Sequence, residues 1–118
     1  MTMKLFFDGE IYRISRITGP KHNFLGISFG NTITEIEVEA VETKPDVSES
    51  RLCEKKIVES VLNGINRKNI ELKTDYKVKK IQYIVSDTPP ENIYGQLAEE
   101  MIDRIEKRQI IILKKSDV

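Results

Sequence analysis

Two stretches of the sequence carry apolar residues at three- and four-residue intervals, and this pair constrains the fold more than any other feature. Leu52, Ile57, Val58, Val61, Leu62 and Ile65 recur along one helical face, as do Ile93, Tyr94, Leu97, Ala98, Met101, Ile102 and Ile105. Two amphipathic helices need one common apolar surface to cover, and a sheet presenting one face to both is the simplest supply. Asp46 or Ser48 is placed to cap the first helix, with Glu49 three residues after Asp46 completing a capping box. Gly64 interrupts the first stripe and weakens it by about 1 kcal/mol relative to alanine, so that helix ends there or runs on through Leu72. Thr88 as cap, Pro89 at the first helical position and Glu91 three residues after Thr88 mark the start of the second.

The remaining segments read as strands. Met3 to Phe7 and Glu10 to Ile17 flank Asp8-Gly9, a two-residue hairpin signal in which both central positions favour positive φ. Both faces of the second run carry apolar residues, which suits a central strand. Gly19 to Asn23 reads as a loop, Phe24 to Phe29 as a third strand, and Gly30-Asn31 as a turn into a fourth. In that fourth strand Ile36, Val38 and Ala40 alternate with Glu35, Glu37 and Glu39. An antiparallel meander is the simplest arrangement of these four. Tyr76 to Val85 changes phase part-way, which a bulge near Lys79-Lys80 would reconcile, and Ile110 to Leu113 closes the series. The expectation is one α+β domain over residues 1–118. Its elements run ββββ-α-β-α-β, with a mostly antiparallel sheet and two amphipathic helices packed on one face.

At 118 residues, 39% hydrophobic and 32% charged, the composition is that of a folded domain. Nineteen basic residues balance nineteen acidic ones, and that removes the basic excess typical of nucleic-acid and membrane binders. The balance is uneven along the chain: residues 1–50 hold 5 Lys and Arg against 8 Asp and Glu, residues 51–118 hold 14 against 11. One cysteine allows no internal disulfide, no run reaches the ~20 apolar residues of a membrane span, and Met1 to Phe7 is short for a secretory signal. A cytoplasmic address is expected, with no membrane association.

Residues with reactive side chains are few. His22 sits in the Gly-Pro loop beside Lys21 without neighbouring ligands, and Cys53 falls in the first helix, so neither has a partner to activate it. Ser86-Asp87-Thr88 leads into a helix N-terminus but lacks the glycines and lysine of a phosphate-binding loop. No catalytic residue, metal site, cofactor or small-molecule substrate is therefore assigned. Glu35, Glu37 and Glu39, about 7 Å apart by strand rise, form an acidic row with Glu42 beyond it. The plain reading is a solvated sheet face; the sharper one is a strip that meets a basic partner surface. Arg67, Lys68, Lys73, Lys77, Lys79 and Lys80 form a basic cluster flanked by Tyr76 and Tyr83. The Lys73–Lys80 region supports an alternative, a nucleic-acid-binding or regulatory module. However, no RNA-binding signature accompanies it, and edge lysines also serve to block aggregation.

Three stretches carry a resemblance: Phe6-Phe7-Asp8-Gly9-Glu10-Ile11-Tyr12, Asn23-Phe24-Leu25-Gly26-Ile27-Ser28-Phe29, and Lys79-Lys80-Ile81-Gln82-Tyr83-Ile84-Val85-Ser86-Asp87-Thr88-Pro89-Pro90. With them the chain resembles the small immunity proteins of bacterial contact-dependent growth inhibition and related toxin systems. The resemblance implies a cytoplasmic protein that binds one cognate toxin domain and occludes its active site or substrate surface. Many such toxins are nucleases with basic clefts. The resemblance carries no residue roles; Glu35, Glu37, Glu39 and Glu42 are candidates from the alternation alone.

Overall fold

The computed structural model describes residues 4–18, 21–30, 35–41, 53–84 and 91–113. Its elements, in chain order, are β1 (Leu5–Phe7), β2 (Tyr12–Thr18), β3 (Lys21–Phe29), β4 (Glu37–Val41), α1 (Glu54–Leu72), β5 (Val78–Ile84), α2 (Asn92–Glu106) and β6 (Ile111–Ile112). The fold is α+β, with a mixed six-stranded sheet ordered β4-β5-β3-β2-β1-β6. β1–β2, β2–β3 and β3–β5 pair antiparallel, whereas β4–β5 and β1–β6 pair parallel.

The fourth strand corrects the meander. Instead of turning back on β3, β4 lies at the sheet edge beside β5, and β5 takes the place next to β3 through Leu25↔Tyr83 and Ile27↔Ile81. Burial gives the reason. Val78, Ile81 and Tyr83 of β5 are each at most 5% exposed and need strands on both sides, whereas β4 is exposed or half-buried throughout. Ala40, though in phase with the core, is itself exposed. The β5 phase change is a bulge at Lys79, since Ser28 pairs with Lys80 but Phe29 with Val78.

Side chains on one sheet face and the stripes of both helices form a single buried cluster. Leu5, Ile14, Leu25, Ile27, Ile81 and Tyr83 meet Ile57, Val61 and Ile65 of α1 and Tyr94, Leu97, Met101 and Ile102 of α2. Each such apolar side chain contributes about 1.5–3 kcal/mol on burial. The helices run side by side in the same sense, with Ser60 against Gly95, Arg67 against Glu99 and Lys68 against Asp103. Gly64, which the periodicity alone marks as a weak point, lies inside α1 at the crossing. A Cβ there would come 2.5 Å from the Gly95 carbonyl oxygen.

The helix starts differ from the capping motifs. α1 begins at Glu54 on an extended Cys53, with no side-chain cap hydrogen bond; Asp46, Ser48, Glu49 and Leu52 lie outside the described residues. Cys53 is thus an exposed cap residue, not a residue inside the helix. α2 begins at Asn92, and Glu91, its cap, directs its carboxylate across to accept the Cys53 backbone N–H at 3.0 Å. Thr88, Pro89 and Pro90 lie outside the described residues, as do Ser86 and Asp87. At its other end α1 closes on Lys73 in the left-handed conformation (φ 56°). Asn69 then pins the following loop, Oδ1 accepting from Thr74 Oγ1 and Tyr76 N and Nδ2 donating to Tyr76 O. β3 starts at Lys21, so the segment read as a loop is partly strand and the backbone of His22 pairs with Ile17.

Candidate partner-binding face

The sheet face opposite the helices carries the acidic row. Cross-strand pairing places Glu37 beside Lys80 and Glu39 beside Gln82. Lys80 Nζ lies 3.8 Å from Glu37 Oε1 and 3.6 Å from Glu39 Oε2, and Gln82 Nε2 donates to Glu39 Oε1 at 2.6 Å. The acidic row and the basic cluster, separated by some forty residues of chain, therefore meet on neighbouring strands. Lys80 is mostly buried between the two carboxylates, which remain open to solvent at 68% and 46%. Glu35 is exposed just ahead of β4; Glu42 lies outside the described residues. Gly26 makes room for this arrangement, because a Cβ on it would stand 2.9 Å from Gln82 Oε1 and 3.3 Å from Ile11 Cγ2.

Toward β1 and β6 the same face turns apolar. Phe6, Arg13, Ser15, Phe24 and Leu113 line a concavity of about 340 Å³. Arg13 is held there by Asp8, Nη1 to Oδ2 at 2.7 Å. Beside it Ile111, Ile112 and Leu113 remain 42–63% exposed.

The basic cluster does not assemble into one surface. Lys68 is clamped by Glu71 (2.8 Å) and Asp103 (2.9 Å), and these hydrogen bonds push its ammonium pKa up. Arg67 pairs with Glu99, Lys77 with Asp75, and Lys80 with the acidic row. The two tyrosines flanking it are engaged as well. Tyr83 is buried and donates to Glu54 Oε1, its phenol pushed up to about 12 by burial first and Glu54 second. Tyr76 donates to Glu106 Oε2 at 2.6 Å, and burial again raises its pKa first.

No protein-family model, curated protein or solved structure matches the chain.

Among the described residues no group of three or more His, Cys, Asp and Glu could hold a metal ion, and no helix is long and apolar enough to cross a membrane. Between the helices, Lys56, Glu59, Ser60, Asn63 and Arg67 line an open polar cleft of about 460 Å³. Glu91, at its end, has its carboxyl pKa lowered by the Cys53 N–H. The apolar concavity is the feature that sequence reasoning missed. Its signal was present: Phe6 and Phe24 fall in the strand phase opposite to Leu5 and Leu25, where a solvated face would carry polar residues.

Proposed function

We propose that the chain is a toxin-neutralising immunity protein, which binds a cognate toxin domain and blocks its active site or substrate surface. The observation carrying this reading is the make-up of the open sheet face. It sets an apolar concavity around Phe6 and Phe24 on the same face as a charged lattice of Glu37, Lys80 and Glu39. An apolar patch flanked by charged groups is a combination that protein interfaces use. The carboxylates favour a partner with a basic surface, as the substrate cleft of a nuclease is. In this reading the chain does no chemistry, needs no cofactor and acts in the cytoplasm. The ion pairing of Lys68, Lys77 and Lys80 weighs against a phosphate backbone as the partner, since those charges already have carboxylates.

The test is co-expression with the toxin domain that this reading expects to be encoded beside the gene, followed by co-purification and titration calorimetry. A complex tighter than about 1 μM is expected. Glu37→Lys combined with Glu39→Lys should weaken it by about tenfold or more, with the fold unchanged by circular dichroism. Absence of association at micromolar concentration removes the reading. Association unaffected by this double variant moves the contact elsewhere.

A further inference from the structure

We infer that the concavity at the β1–β2 hairpin end of the sheet is a binding site for a flat apolar ring that carries an anionic group. Half of the chain's four tyrosines and four phenylalanines converge there in one row. Phe7 stacks on Tyr12 with centroids 4.1 Å apart, Tyr12 meets Phe29 at 5.8 Å, and Phe29 meets Tyr76 at 5.2 Å. All four rings are half-buried and together line a recess of about 380 Å³, the size of a small-ligand pocket.

Polar groups at the recess point to the ligand's chemistry. Ser28 lines it, is only 4% exposed, and its hydroxyl has no hydrogen-bond partner among the described residues. The Tyr12 hydroxyl likewise takes no partner among the described residues. Lys79, set out of the ladder by the bulge, also lines the recess and has no carboxylate within ion-pair distance among the described residues, unlike Lys77 and Lys80 beside it. Two hydroxyls and an ammonium all donate. They suit a carboxylate, while the tilted rings offer edge and face contacts to a further aromatic ring. Glu10, exposed at the rim, is the opposing charge and sets the alternative, a cationic guest over the ring faces.

The same chemistry, ring plus carboxylate, belongs to a free aryl acid and to a peptide ending in phenylalanine. The recess shares no lining residue with the open-face concavity, so this inference stands apart from the immunity reading. The experiment is an amide NMR titration of the full chain with 3-phenylpropionate. Its controls are 3-phenylpropionamide and 3-phenylpropylamine; Ala-Ala-Phe is run with a free and an amidated terminus. Saturable shifts at Tyr12, Ser28, Phe29 and Lys79 are expected. Affinity for the amide and for Lys79→Ala should fall by about three- to fivefold, the worth of one partly exposed charge contact. Phe29→Leu, which keeps an apolar side chain, should weaken the acid and the amide alike. Tighter binding of the free tripeptide than of the aryl acid identifies a chain terminus as the source, and the reverse order identifies a small acid. Equal or tighter binding of the amine, shifts confined to Phe24 and Leu113, or no saturable shift overturns the inference.

Discussion

The carboxylate of Asp8 gathers three donors: the backbone N–H of Glu10 at 3.0 Å, that of Ile11 at 2.9 Å, and Arg13 Nη1 at 2.7 Å. The turn legible in Asp8-Gly9 is thus real, but its geometry is not the two-residue form. Phe7 pairs with Tyr12, only Gly9 takes a positive φ (101°), and the aspartate side chain organises the wider loop. Sequence shows that a turn residue is present; it does not show which donors will reach it. The three hydrogen bonds, that of Ile11 the largest, hold the Asp8 carboxyl far below its ordinary 3.8. A carboxyl depressed in the folded state stabilises the fold above its unfolded pKa and loses that contribution as the pH falls through 3.8 and below. Asp8→Ala should cost about 2 kcal/mol at pH 7. Asp8→Asn, which keeps an acceptor for both amides, should cost less. Urea unfolding of wild type and Asp8→Asn at pH 7 and pH 2.5 checks the argument. The gap between them should shrink in acid, and a pH-independent gap would show that the charge contributes nothing.

At the scale of elements, apolar patterning located both helices and each strand among the described residues, apart from Lys21–Asn23 of β3, because burial on one face imposes a period that sequence reports directly. Neighbours were less legible. Period-two alternation in β4 tells which residues face the helices but not which strand lies alongside. The pairing with β5 depends on Lys80 and Gln82, which are remote in sequence from Glu37 and Glu39. Gly64 teaches the same lesson in the helices. Read alone it is a flaw of about 1 kcal/mol; opposite Gly95 it is what lets two backbones touch. A Cβ at Gly95 would likewise fall 2.7 Å from the Ser60 backbone oxygen, and Ser60 Oγ accepts the Gly95 N–H at 2.8 Å. Gly64→Ala should therefore destabilise by about 1–3 kcal/mol despite its gain in helix propensity, because the obstacle is backbone and cannot turn aside. Adding Gly95→Ala should cost less than the sum of the singles, since one separation of the helices relieves both clashes. Denaturant titration of the two singles and the double decides it. A Gly64→Ala protein more stable than wild type would mean that the helices do not cross this closely.

For the whole molecule, zero net charge conceals where the charges are placed. The acidic first half and the basic second half of the chain meet at the β4–β5 seam, and there Lys80 partly neutralises Glu37 and Glu39 while leaving them open to solvent. A surface built in this way gives opposite responses to two substitutions, if it is the face that approaches a basic partner. Lys80→Gln removes the neutralising ammonium and strengthens the negative potential outside β4. The encounter rate should rise by about threefold at low salt, and its dependence on ionic strength should steepen. Glu37→Gln with Glu39→Gln should lower that rate by about tenfold and flatten the salt dependence. Neither change should alter folding stability by more than about 1 kcal/mol, because Glu37 and Glu39 are open to solvent on the edge strand and their ion pairs with Lys80 are long, at 3.8 and 3.6 Å. Stopped-flow association across a salt series separates the cases. Rates that move in the same direction for both variants would mean that they act through the fold and not through the field. Rates that do not move at all would place the partner on another face of the sheet, because a charge change within a Debye length of the docking surface cannot leave a steered encounter untouched.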